Sequence, residues 1–596
     1  MKLIPTYNVK LTGEFMKDKQ ELVRRSTLEA VWNRFVETGR VGAYECDPNA
    51  KFAAHVFWDS DVIKWAEGAA YYIGIEYDKV LDDRINMLAD LMEKNAFEDG
   101  YYNCYYAVHP ELTRFTNRNN HELYCAGHLF EAAVAYYEAT GNDRLIKISS
   151  KFVDCIYKIF VEENGASFST PGHQEIELAL LRLYDATGDE KYLNLARHFI
   201  VMRGHGIKEE RNPYNQSHIP VVAMREAVGH SVRACYMYAG MADYAAVADD
   251  TPMAVACKAL FNNIAKKKMY VTGGIGSTKI GEAFTEEYDL PNQLAYTETC
   301  AAISLLFFAI RMQRLDNASK YADVAELALY NGILSGLSLD GEAFFYTNPL
   351  EINLRDRQRV KPQFVGEVFP ITERKRVFSC SCCPPNIVRF FPSVGGYAYG
   401  KEDDTVYVNL YMDSEVDYDG AKVKVTTNYP KDGVIKVECD GVGAIKLRKP
   451  WWAKSFSIDC DYTLDGGYIT VESPKSFTLT FDMPVRFINA SPKVKACAGK
   501  IAVMRGPVVY CAEGVDNSFN IFDFHAGNRE NVTLGDDYGG LPTITFDGYV
   551  CTEEEALYYF DDEKSTCKTE KAKVKLVPYN TFANRGETDM AVWLVK

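Results

Sequence analysis

The feature that most restricts this 596-residue chain is a helical hairpin repeated through its first half. GHLFEAAVAYYEATGNDRL begins at Gly127 and HQEIELALLRLYDATGDEKYL at His173; their ATG triplets, at 139–141 and 186–188, lie 47 residues apart. Each copy reads as an amphipathic helix, a glycine stop, an Asn or Asp cap and a second helix. GHSVRACYMYAGMADYAAVADDTPM from Gly229 and ETCAAISLLFFAIRMQRLDNASKYADV from Glu298 are looser copies. Helical periodicity over 19–37, 61–75, 80–94 and 121–138 brings the expected total between residues 18 and 335 to about eleven or twelve helices. One hairpin cannot bury its apolar face alone, so successive hairpins must pack together. Six of them closing into a ring would make an (α/α)6 barrel with a site at one rim. An open solenoid is the alternative.

After Gly400 the texture changes to short alternating runs, 405–412, 421–427, 434–439, 468–472 and 476–482, separated by turn residues as in β-sandwiches. Segments 501–510, 571–577 and 590–595 mark a second sheet-rich unit. A multidomain chain of α and all-β parts is expected: a barrel over 1–400, a β-sandwich over 401–500 and a second over 501–596. No catalytic constellation is visible in the β region, which suits packing on the barrel or self-association. A formal charge of −16 argues against nucleic acid and anionic membrane surfaces as partners. The first residues, MKLIPTYNVKLTGEF, lack the apolar core of an export signal, and no apolar run reaches about eighteen residues. A cytoplasmic location follows as an expectation, and sixteen scattered cysteines fit reduced thiols.

The chemistry concentrates in SCSCCPPN, residues 379–386, where Cys380, Cys382 and Cys383 crowd into four positions before two prolines. Prolines fix φ and disfavour a helix, so a rigid turn aiming neighbouring sulfurs at one point is expected. Soft thiolates favour zinc, and Glu298 and Cys300, two residues apart, are the best upstream ligands. Buried reduced cysteines packed as small apolar groups are the competing reading. His128, His173 and His230 each fall near the start of a helical copy, where a rim would gather them; a lone histidine is otherwise a hydrogen-bonded core residue. Residues 269–284, MYVTGGIGSTKIGEAF, resemble a phosphate loop, but Lys279 occupies the third glycine position and no GK[ST] follows. A flexible rim loop carrying Glu282 is expected instead, its apolar neighbours Gly281 and Ala283 holding the carboxyl proton to higher pH as a general acid requires. Glu282 and Glu298 could equally be a glycosidase carboxylate pair, which competes with Glu298 as a metal ligand.

The series GGIGS, GEAF, YDLPN, Y-x-E-x-C and CxCCPPN resembles glycoside hydrolase family 127, the β-L-arabinofuranosidases. Gly229-His230, FFYTNP at 344–349, RGPVVYCAE at 505–513 and PYNTFANRG at 578–586 extend the likeness over nearly the whole chain. The resemblance implies an (α/α)6 catalytic barrel followed by β-sandwich domains, often as a homodimer. It implies zinc held by Glu298, Cys300, Cys382 and Cys383, with Cys382 attacking the anomeric carbon and Glu282 serving as acid and then base. It places His128, His173, His230 and Tyr346 around the sugar, puts Glu326 close by, and matches Cys380 to an extra upstream cysteine. A metal would keep Cys382 deprotonated, and a thioglycosyl intermediate hydrolysed with retention would follow. The expected substrate is an oligosaccharide or glycoside ending in β-L-arabinofuranose. A barrel epimerase or isomerase using histidine bases beside a structural zinc is the alternative.

Overall fold

The computed structural model describes residues 1–553 and 567–596. Among these, six helices form an inner ring: α1 (Trp58–Ile75), α2 (Glu122–Thr140), α3 (Ile176–Thr187), α4 (Ser231–Ala248), α5 (Thr299–Met312) and α6 (Cys383–Ser393). Each packs on the next and α6 returns to α1, which closes the ring and excludes the open solenoid. Outer helices Lys79–Asn95, Arg144–Tyr157, Glu190–Met202, Thr251–Asn263 and Ser319–Leu327 alternate with them. The remaining outer position is filled by Phe15–Leu22, which runs through a wide turn at Val23–Thr27 into Leu28–Glu37.

Sequence sorts the two rings. α1 is buried without a break from Asp59 to Ile73, whereas Lys79–Asn95 buries only Leu81, Ile85, Leu88, Ala89 and Met92, the stripe of a helix with one wet face. The glycines of both ATG triplets end inner helices in the left-handed region, Gly141 at φ 73° and Gly188 at φ 71°. After the second, the Asp189 side chain accepts from the Lys191 amide and starts the return helix.

Two six-stranded sheets follow the barrel. One runs from Lys2–Leu3 through Tyr399–Glu402, Thr405–Val408, Ala444–Arg448 and Tyr468–Glu472 to Thr463–Asp465. The other runs from Phe456–Ile458 through Ser476–Phe481, Val434–Asp440, Ala421–Thr427 and Ser414–Tyr418 to Val9–Leu11. Strict alternation of buried and exposed residues along Ala421–Thr427 is the signature of a sheet with one face on a core. The last unit is one nine-stranded sheet in which Lys500–Arg505 also pairs with Val508–Glu513, so that it curls around Val503, Tyr510, Phe524, Ile544 and Leu576. Domain limits differ from those read in the sequence: residues 2–3 and 9–11 belong to the middle sheets, and Val485–Ile488 and Glu351–Ile352 to the last one. β pairing is set by which edges meet in space, not by chain order.

The expectation of uniformly reduced thiols fails at one place. Cys551 and Cys567 are disulfide-bonded, with Cα atoms 5.9 Å apart. Strand Lys568–Pro578 pairs antiparallel with Leu541–Glu553, and that register brings two cysteines distant in sequence together. Among the described residues, no helix is long and apolar enough to cross a membrane.

A candidate metal and acid–base centre

Two inner helices begin at one point on the barrel rim. Glu298 is the N-cap of α5 and Cys300 lies in its first turn; Cys382 is the N-cap of α6 and Cys383 its first residue. The prolines therefore do not hold the chain out of a helix, as expected, but open one. Pro384 and Pro385 sit in the first turn of α6, where the N–H they lack has no helical partner to lose. Helix N-termini also present backbone N–H groups and the positive end of the dipole, which favour carboxylates and thiolates.

The four side chains converge. Cys300 Sγ lies 3.2 Å from Cys383 Sγ and 3.6 Å from Cys382 Sγ, and the last two are 3.8 Å apart. Glu298 Oε1 stands 3.5 Å from Cys382 Sγ and 3.7 Å from Cys383 Sγ. A tetrahedral divalent ion with ligand bonds of about 2.0–2.3 Å would set its ligand atoms about 3.5–3.8 Å apart; four of these five separations fall in that range, and the Cys300–Cys383 pair is closer, at 3.2 Å. Glu298 Oε2 is buried and has no hydrogen-bond partner. Without a cation the four groups cannot all ionise. Burial and the nearby Cys382 push the Glu298 carboxyl well up, and burial with bonds to Cys300 and Cys382 does the same to Cys383. Burial would raise Cys300 too, but bonds from its two thiol neighbours bring it down to about 6. This buried cluster can hold a metal ion.

Surrounding residues fix the ligands. Asn386 Nδ2 donates to Cys300 Sγ at 3.0 Å, and Arg389 Nε holds Asn386 Oδ1 at 2.7 Å while its Nη1 reaches Glu67 at 2.9 Å. Thr299 N donates to Tyr346 O at 2.9 Å, and Asn348 N to Thr297 O at 3.2 Å. That clamp sets Tyr346 against the sulfurs, its hydroxyl 3.5 Å from Cys382 Sγ. Cys380 lies 3.9 Å from the same hydroxyl.

Glu282 stands beside this cluster, at φ 53° in a region non-glycine residues seldom occupy. It is pinned, not flexible: Gly229–His230 pairs with Ala283–Phe284 as a two-stranded ladder. His230 is the N-cap of α4, its Nδ1 accepting from the amides of Val232 and Arg233 at 3.2 and 3.4 Å. Nε2 must then carry the proton, and it lies 2.6 Å from Glu282 Oε2. Tyr296 and Tyr346 hydroxyls reach Glu282 Oε1 at 2.5 and 3.3 Å. Burial alone would raise the Glu282 carboxyl, as expected from its apolar neighbours, but these three donors outweigh it and hold the group at about 2. Burial depresses His230 and, well below its ordinary value, His173.

The His173 ring lies edge-on to His230, centroids 5.6 Å apart, and tilted against Tyr124 at 4.2 Å, while His128 is fully buried behind Tyr124, with Nδ1 3.0 Å from Glu175. Glu326 does not join the group. Its oxygens take the Tyr429 hydroxyl, Trp452 Nε1 and Arg448, a carboxylate engaged where the barrel meets the middle sheets. Sequence reading missed Tyr296, which stands two residues before Glu298 in the Y-x-E-x-C motif, and Asn386, the last letter of CxCCPPN; both lay inside motifs already singled out. Lys64, fully buried on α1 with Nζ 3.1 Å from the Tyr124 hydroxyl, gave no local signal.

The model of the β-L-arabinofuranosidase GH127 catalytic domain matches residues 8–396, that of the GH127 middle domain 405–478, and that of the family's C-terminal domain 485–595. A non-reducing end β-L-arabinofuranosidase of Bifidobacterium longum subsp. longum is 32% identical, covering 98% of this chain and 99% of its own. The crystal structure of a GH127 β-L-arabinofuranosidase from Geobacillus stearothermophilus T6 superposes with a TM-score of 0.90 at 37% identity, over 99% of this chain and 100% of that one. A GH127 β-arabinofuranosidase structure gives a TM-score of 0.90 at 34% identity, over 100% and 98%.

Proposed function

The chain belongs to glycoside hydrolase family 127, and from that premise we propose that it is a zinc-dependent retaining hydrolase removing terminal β-L-arabinofuranose. Three thiols and a carboxylate form a donor set suited to zinc, so Glu298, Cys300, Cys382 and Cys383 would hold it. Bound there, the cation would keep the thiols ionised at neutral pH.

The observation that carries the reading is the Tyr346 hydroxyl, 3.5 Å from Cys382 Sγ and 3.3 Å from Glu282 Oε1. Those two contacts put the Cys382 sulfur and the Glu282 carboxylate no more than about 6.8 Å apart, close enough for the two groups to flank one anomeric carbon. In the first half Cys382 Sγ bonds to the anomeric carbon as the glycosidic C–O bond breaks, and protonated Glu282 gives its proton to the leaving oxygen. In the second half Glu282 carboxylate takes a proton from water, which attacks the same carbon and releases Cys382 as thiolate. Two inversions give retention. His230 supports both halves by fixing the carboxylate, while His173 and Tyr124 wall the space over the sugar; His128 backs Tyr124.

Cys382→Ala and Glu282→Gln are each expected to cut turnover of a p-nitrophenyl β-L-arabinofuranoside by at least about three orders of magnitude, with Glu282→Gln keeping its metal. Near-normal rates in either variant would discard the mechanism.

A further inference from the structure

Lys64 of α1 is a fully buried cation whose Nζ donates to the Tyr124 hydroxyl at 3.1 Å. Among the described residues no carboxylate pairs with it, and a buried ammonium with one neutral acceptor is costly unless negative charge stands nearby. The packing of α1 on α6 shows where that charge is. Arg40 ties the start of α1 to the segment entering α6: its Nε donates to Asp61 Oδ2 at 2.9 Å, and its Nη2 to the carbonyls of Phe378 and Ser379 at 3.1 and 2.9 Å. Further along, α1 presses on α6 at Gly68, where a Cβ would stand 2.6 Å from the Val388 carbonyl oxygen. Lys64 is one turn before Gly68 on the same face of α1, level with the first turn of α6 and its cysteines. Burial works against the charge, but Asp61, Cys382 and Cys300 outweigh it and hold the Lys64 proton more tightly than an ordinary lysine's. Asp61 already has Arg40 as its partner, and Arg389, the other cation behind the cluster, has Glu67.

We propose that Lys64 is a positioning residue whose charge stabilises Cys382 as a leaving thiolate, and so speeds the second half of the reaction. The inference rests on Cys382 being the nucleophile. In that half the oxygen of water bonds to the anomeric carbon, the C–S bond breaks with its electron pair staying on sulfur, and Glu282 takes the water proton. The thioether of the intermediate is neutral and the departing sulfur is anionic, so a fixed cation favours breakdown. By the same sign it does not assist formation of the C–S bond. Three thiolates and a carboxylate around a divalent ion would leave a net negative charge, which Lys64 is placed to offset.

The test compares Lys64→Gln, which keeps a donor for Tyr124 without the charge, with Lys64→Arg, which keeps the charge. A p-nitrophenyl β-L-arabinofuranoside loses its phenolate readily, so the second half limits its turnover. Lys64→Gln is expected to lower kcat at least about tenfold and KM in proportion, with kcat/KM within about threefold of the native value. A burst of p-nitrophenol equal to the enzyme concentration should precede steady turnover. Intact-mass spectrometry of the quenched variant should find one pentosyl residue on Cys382, with metal content unchanged. Lys64→Arg is expected to recover kcat at least about fivefold over Lys64→Gln and to carry no such adduct. Native constants in Lys64→Gln, or kcat and kcat/KM falling together without an adduct, overturn the charge role. A folded Lys64→Arg that accumulates the adduct overturns it too, whether or not Lys64→Gln folds. A near-normal rate in Cys382→Ala would remove the hydrolase mechanism itself, and the role of Lys64 with it.

Discussion

Glu282 shows how far a residue's neighbours in space can reverse what its neighbours in sequence suggest. Gly281 and Ala283 are apolar, yet His230, Tyr296 and Tyr346 aim three donors at the carboxylate. His230 cannot take up a second proton without giving up the two amides its Nδ1 caps, so an added proton must go to Glu282. The sign for activity follows. The acid form of the free enzyme belongs to a group held at about 2, so its population falls as pH rises through the acid range. kcat/KM is expected to decline from acid towards neutral pH in protein whose metal content is checked at each point. A profile flat to neutrality would mean that the proton comes from elsewhere.

At the scale of elements, the centre is an encounter of two helix starts with one strand pair. α5 and α6 present their first turns to each other, and the ladder of Gly229–His230 with Ala283–Phe284 brings in the acid. Gly229 allows that ladder: at φ 73° it lies where only glycine is comfortable, and a Cβ there would stand 2.1 Å from Pro213 O. Gly229→Ala is therefore expected to displace His230 and Glu282 together, lowering kcat by at least about tenfold while metal content holds, since the four ligands lie on other elements. Loss of metal along with activity would show the elements to be coupled more widely than this.

Across the whole molecule, the barrel and middle sheets are locked by a buried charge cluster. Arg448 is fully buried between Asp323 and Glu326 of an outer helix, with Asn409 O at 2.6 Å from its Nε. Glu326→Ala would leave Asp323 as the remaining acidic partner of that guanidinium and is expected to destabilise the fold by about 3–5 kcal/mol, read as a lowered Tm. Turnover per folded, metal-loaded molecule should stay unchanged. An intact Tm with a raised KM would return Glu326 to the sugar site.

Periodicity implied packed helical hairpins, because a repeat with one apolar stripe can be buried only against further copies, but it left a closed ring and an open solenoid both possible, and only the return of α6 to α1 chose the ring. Motif spacing brought Glu298, Cys300, Cys382 and Cys383 to notice, but local sequence left a metal site and buried apolar thiols equally open; their convergence is a tertiary fact. Tertiary structure decided everything that depends on contacts between distant segments: the low proton affinity of Glu282, the clamp that sets Tyr346 between sulfur and acid, the placement of Glu326, and the Cys551–Cys567 pairing. Local sequence fixes φ, ψ and the apolar stripe of each element. The energy of a charge or a hydrogen bond depends on what the fold brings within about 4 Å, and no single segment encodes that.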